Sequence, residues 1–136
     1  MRYLARREYA AAELRDKLVR RGYDGAIVAQ VIAQLTEARA QDDDRFIEAF
    51  VRSRVGRGQG PVRIGAELRQ RGIPDEQVDA ALATAADWRA QARDARAARF
   101  GAGPPGDWST RGKQARFLEQ RGFTHEQIRA ALDGDE

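Results

Sequence analysis

The chain has 136 residues, 24 Lys plus Arg against 21 Asp plus Glu, a net charge of +3, one His and no Cys. That length suits one domain or an array of small units. Without Cys there is no disulfide framework or thiolate site, and one His does not make the usual zinc centre, so thiol and serine-protease chemistry are set aside together. No apolar run approaches the roughly 18 residues of a spanning helix or the core of a signal peptide, and a soluble, cytoplasmic protein is expected. The basic residues divide into 22 Arg and 2 Lys, with 25 Ala and no Asn. GC-rich coding sequence imposes such a skew, so placement of the charges carries more than their number.

Taken in chain order, residues 13–21 read as a helix that stops at Gly22, with Asp24 opening the next one. Asp42, Asp43 and Asp44 then precede a helix over 45–55, whose stripe of Phe46, Ile47, Phe50 and Val51 ends at Gly56. Residues 66–71 form a further helix ending at Gly72, and Pro74 supplies the fixed φ of the following first turn. Residues 88–100 are Ala-rich, with Ala92 and Ala95 one and two turns after Trp88 for close packing. The Gly/Pro-rich stretch 101–106 reads as a loop, and the segment from Asp107 to Thr110 caps the last unit. A helix over 113–121 stops at Gly122, and Thr124 with Gln127 has capping-box spacing.

These elements repeat. Leu18, Arg21, Gly22 and Tyr23 recur as Leu68, Arg71, Gly72 and Ile73, and again as Leu118, Arg121, Gly122 and Phe123, each time 50 residues on. Val28, Val78 and Ile128 follow in register, as do Ile32, Leu82 and Leu132. Three copies without insertion predict an all-α, elongated array of tandem three-helix repeats, about three units of period 50. The expected units are 1–57, whose first helix is entered part-way, 58–106, which ends in the Gly/Pro-rich loop, and 107–136.

Charge alternates with the repeat: +4 over 1–21, −4 over 22–44, +5 over 45–72, −4 over 73–88, +5 over 89–116 and −3 over 117–136. Either the basic stretches line one side of a dipolar rod, or opposite charges pair between neighbouring helices; sequence leaves both open. The densest basic stretch is Arg45, Arg52, Arg54, Arg57, Arg63, Arg69 and Arg71, opposed by Glu48 and Glu67. It suits an acidic protein or a phosphate backbone, against the alternative of a solvated face.

Other motifs read structurally. The glycines of 56–60 follow a helix rather than a strand, so with Pro61 they read as a connector, not a phosphate cradle. Five residues separate Gly106 from Gly112 where a Walker loop needs four, and Gln114 stands where it needs Ser or Thr, so nucleotide binding is rejected there. The three aspartates are expected to cap a helix rather than to hold a metal, and His125 to lie exposed in a first turn. Trp88, Trp108, Tyr3, Tyr9 and the phenylalanines could stack bases, but their helical spacing points to core packing.

Asp43-Asp44-Arg45-Phe46, leading through Phe50, Arg52-Ser53-Arg54 and the run from Gly58 to Ile64 to Glu67-Leu68 and Arg71-Gly72-Ile73, resembles the signature of the RecX family of bacterial recombination regulators. Leu4 to Tyr9 with Glu13-Leu14 matches that family's opening, and Arg99-Phe100-Gly101 with Phe117-Leu118 and Arg121-Gly122-Phe123 its closing unit. The chain departs from the pattern at Gln59, where the family often has an aromatic, and at Ala40-Gln41, where it often has Gly and an apolar residue. An upstream extension seen in many members is absent from this sequence.

The resemblance implies a modulator of RecA that lies in the groove of the RecA filament on single-stranded DNA. Such a protein limits filament growth, ATP hydrolysis and strand exchange, and so tunes recombination, DNA repair and the SOS response. It implies no enzyme and no cofactor, and nothing in the sequence assembles a catalytic or metal site. A monomer is expected, with direct contact to single- or double-stranded DNA left open. The alternative is a stand-alone basic helical DNA-binding protein, motivated by a pI of about 9.8 and by the helix-stop-helix units.

Overall fold

The computed structural model describes the backbone of residues 3–134 and the side chains of residues 12–134. The side chains of Tyr3, Tyr9 and the opening motif at 4–9 lie outside the described residues. Helices follow one another without a strand among the described residues: α1 (Tyr3–Arg20), α2 (Gly25–Gly56), α3 (Pro61–Gln70), α4 (Asp75–Ala85), α5 (Trp88–Phe100), α6 (Trp108–Arg121) and α7 (His125–Asp133). The all-α array expected from the repeat is the fold observed.

Each copy of the Leu-x-x-Arg-Gly motif closes the same turn. Gly22, Gly72 and Gly122 donate to the carbonyls of Val19, Arg69 and Glu119 at 2.9–3.0 Å, and the residues after them donate to Leu18, Leu68 and Leu118 at 3.2 Å. This paired arrangement satisfies the carbonyls that a helix end leaves free, and it turns the next side chain back onto the preceding leucine. Ile73 and Phe123 are thereby buried, at 4% and 3% exposure, whereas Tyr23 is 59% exposed. The second helix of each pair then starts on its cap. Asp24 accepts from Ala26 N at 2.7 Å, and Thr124 and Gln127 make both bonds of the capping box, at 3.2 and 3.0 Å. Pro74 stands at the N-cap itself, with φ −61° and ψ 145°, one residue before the turn expected for it.

Two cores result. Ile47, Phe50 and Val51 of α2 close on Ile64, Leu68, Ile73, Val78 and Leu82 of α3, α4 and the turn between them. Ala92 of α5 closes on Leu118, Phe123, Ile128, Ala131 and Leu132. Trp88 packs against both cores and donates its indole N–H to the Leu82 carbonyl at 2.8 Å, so it joins them. In the α1 and α2 region Val28 is buried, while Ile27, Val31 and Leu35 remain exposed.

Two expectations about α2 need correction. The helix opened by Asp24 and the helix over 45–55 were expected to be separate, with Asp42, Asp43 and Asp44 capping the latter; they form one helix of 32 residues that passes through the aspartates. No Gly or Pro interrupts residues 26–55, and a cap forms only where the chain leaves helical geometry. The three carboxylates therefore act through their side chains. Asp42 pairs with Arg45, Asp43 is buried, and Asp44 accepts from Gln77 Nε2 of α4 at 2.7 Å. The segment 42–56 also packs with α3 and α4.

Candidate functional site

The connector between α2 and α3 is also a joint. Gly58, at φ 80°, ends α2, and Pro61 opens α3 as expected. Gly60 then donates to the Arg121 carbonyl, and Val62 to that of Gly122, both at 2.8 Å. A side chain on either glycine would collide: a Cβ on Gly60 would lie 2.5 Å from the Gly122 oxygen, and one on Gly122 2.3 Å from the Arg63 Cβ. Only glycine allows this approach, and Gly122 also carries φ +96°. The second unit is thus clamped by its backbone to the helix stop of the third. Gln59 is buried beside this joint, its Oε1 without a hydrogen-bond partner.

Most of the dense basic stretch is engaged in ion pairs. Arg45 meets Asp42, Arg52 meets Glu48 at 3.0 Å, and Arg54 and Arg63 share Glu67 at 3.2 and 3.6 Å. Arg69 spans to α4, reaching Asp75 at 2.9 Å and Asp79 at 2.7 Å. Arg89 to Glu126 and Arg111 to Asp133 repeat that arrangement against α7. Much of the charge alternation is therefore pairing between neighbouring helices, the second of the two readings above. Arg57 and Arg71 are different: neither meets a carboxylate among the described residues.

Arg71 lies over two rings instead, 5.1 Å from the Phe50 centroid and 5.6 Å from that of Phe46. Fifty residues on, Arg121 lies 5.2 Å from Phe117, which meets Phe100 edge-on at 5.3 Å. Phe50 and Phe100 are repeat equivalents, as are the two arginines. An aromatic face holds a guanidinium in place without neutralising it, leaving its outer edge to a partner's carboxylate or phosphate. Arg99 adds a third such cation over Phe100 at 5.1 Å. Arg121 and Arg99 are absent from the basic stretch that sequence singles out, although carrying Arg71 forward by one period would have found Arg121.

No cluster of metal-ligating side chains assembles among the described residues. Arg96 is buried and donates to Gln114 Oε1 at 3.2 Å, a polar contact between α5 and α6. His125 is exposed, as expected. No described helix is long and apolar enough to cross a membrane.

An all-α chain of tandem helix-stop-helix units, with arginines repeated at the same place in successive units, is a helical repeat protein. Family models of the first, second and third three-helix domains of RecX match residues 1–35, 42–82 and 87–132. The chain is 54% identical to the Regulatory protein RecX of Halorhodospira halophila over 132 residues, which is 96% of this chain and 82% of that one. It is 44% identical to the Regulatory protein RecX of Chromohalobacter salexigens, over 97% of this chain and 87% of that one, and 42% identical to that of Acidithiobacillus ferrooxidans, over 97% and 85%. The chain belongs to the RecX family.

Proposed function

We propose that this protein regulates RecA by binding along the RecA filament on single-stranded DNA, limiting filament growth and with it ATP hydrolysis and strand exchange. The observation that carries the reading is the pair of ring-backed arginines, Arg71 and Arg121, one repeat apart on units clamped through Gly60 and Gly122. A helical polymer offers the same acidic or phosphate surface again and again. A rigid array with cations at a repeated place engages successive copies at once, and the second contact benefits from the effective concentration set by the first. Binding that favours one state of the filament shifts its equilibrium by the difference in affinity. RecX family membership supports RecA as the partner, and RecA as partner implies action in the cytoplasm.

The test is RecA ATPase on single-stranded DNA, with this protein well below RecA's concentration and again with excess DNA. Inhibition that persists in excess DNA is expected. Relief by added DNA would favour the stand-alone DNA-binding reading instead. Arg71→Glu with Arg121→Glu is expected to raise the half-inhibiting concentration about tenfold or more. Arg52→Glu, whose partner Glu48 lies on the same exposed helix face, is expected to change it by less than about twofold.

A further inference from the structure

Trp108 is 85% exposed. It is the first residue of α6, after the 101–106 loop, and packs in neither core, unlike Trp88. An indole offers some 150–250 Å² for burial, so one left almost wholly in water is a surface awaiting a partner.

Its surroundings say which partner. Residues 108–118 contain Arg111, Lys113 and Arg116 and no carboxylate. Arg111 is directed to Asp133, at 2.6 Å, and Asp107 accepts from Thr110 N at 2.7 Å, so these two carboxylates are engaged. Arg116 runs back along the helix: a Cβ on Gly112 would lie 3.5 Å from its Nη1, and Gly112 is one turn from Trp108. The missing side chain thus leaves a path for a guanidinium on the Trp108 side of α6. Ser109, Thr110 and Lys113 are exposed around it. The other large exposed apolar side chains among the described residues fall between Leu14 and Val62, outside this unit. A protein hot spot sits within an apolar surround that excludes water. A lone exposed ring with Lys113 and Arg116 on the same helix, and with the Asp107 carboxylate turned to the Thr110 N–H, has instead the make-up of a platform for a nucleobase with phosphates along the cationic side.

We propose that Trp108 stacks on a base of single-stranded DNA, with Arg116 and Lys113 taking the adjoining phosphates. The inference rests on the filament reading only for the source of the strand, and it is measured without RecA. The full chain is titrated at low salt with an oligothymidylate and with the same oligomer carrying abasic sites, following tryptophan fluorescence and affinity. Wild type is expected to show quenching and to prefer the intact oligomer. Trp108→Ala is expected to bind it at least about fivefold more weakly, to lose the preference, and to melt like wild type. Trp108→Phe should recover part of both. Arg116→Ala should weaken both oligomers alike and lower the salt slope by about one.

Equal binding of both oligomers by Trp108→Ala and wild type would overturn the proposal, as would absence of binding by wild type. Unchanged DNA binding by Trp108→Ala with loss of RecA inhibition would also overturn it, making the ring an anchor for protein. In each case the ATPase assay still decides the filament reading by itself.

Discussion

Leu18, Leu68 and Leu118 hold the same place in three copies of one motif, yet they are not worth the same. Leu68 and Leu118 are fully buried, each in its own core, whereas Leu18 is half-buried. Truncating a leucine costs the transfer of its methyl groups plus the cavity left behind, so Leu68→Ala and Leu118→Ala should each lose about 2–5 kcal/mol, and Leu18→Ala clearly less, in urea unfolding. Asp107 supports a second prediction at this scale. Its carboxylate is held below the usual range by the backbone N–H of Thr110 and then by the Thr110 hydroxyl. A lowered folded pKa means that the stability it contributes is present above the ordinary carboxylate value and is lost as pH falls through the folded one. The melting-temperature advantage of wild type over Asp107→Asn should therefore shrink between neutral pH and about pH 3. The cap at Asp107 was legible in the sequence, because capping is local. The exposure of Trp108 was not: helical spacing shows which face a ring occupies, not whether another helix covers it.

At the scale of elements, stops were legible and continuations were not. The helix stops at Gly22, Gly72 and Gly122 and the start at Pro61 appear where those residues predict them, and Pro74 misses by one residue, because their backbone preferences act within a turn. The aspartate run misled because a cap and a mid-helix cluster share a composition, and the choice depends on whether preceding residues leave the helix. Residues 36–41 are Thr-Glu-Ala-Arg-Ala-Gln, mostly good helix formers, so α2 continues. This continuity makes α2 a rigid bridge between α1 and the core around Leu68. Ala40→Pro removes a backbone donor and clashes with the turn before it. It is expected to cost about 3 kcal/mol where α2 must stay straight, visible as lost helicity by circular dichroism, while the cores around Leu68 and Leu118 survive. Thr124→Ala removes the hydroxyl half of the capping box and should cost about 1 kcal/mol, with α7 fraying first in hydrogen exchange.

For the whole molecule, the repeat established a period but no phase. A shift of 50 residues is satisfied by any starting point, and packing chooses among them: 42–56 shares its core with α3 and α4, and α5 with α6 and α7. Nor does a period say how units meet, since the approach of Gly60 to Gly122 joins residues 62 positions apart. The basic surface was legible in part. Arg57 and Arg71 meet no carboxylate among the described residues, while Arg45, Arg52, Arg54, Arg63 and Arg69 turn to carboxylates that lie nearby in sequence or on the next helix. If the joint sets the spacing between Arg71 and Arg121, opening it should disable regulation without melting either core. Gly60→Ala does this with one methyl group, because the atoms 2.5–2.7 Å from its Cβ are backbone atoms of Gly122 and Phe123, which cannot step aside as a flexible side chain would. Overpacking of this kind costs about 1–3 kcal/mol, which the joint can release by parting while Leu68 and Leu118 stay buried. The variant should keep its helical content, show a larger radius of gyration in X-ray scattering, and need about tenfold more protein for half-inhibition of RecA ATPase. Unchanged scattering with unchanged inhibition would mean that the units keep their spacing through Trp88 alone, which touches both cores.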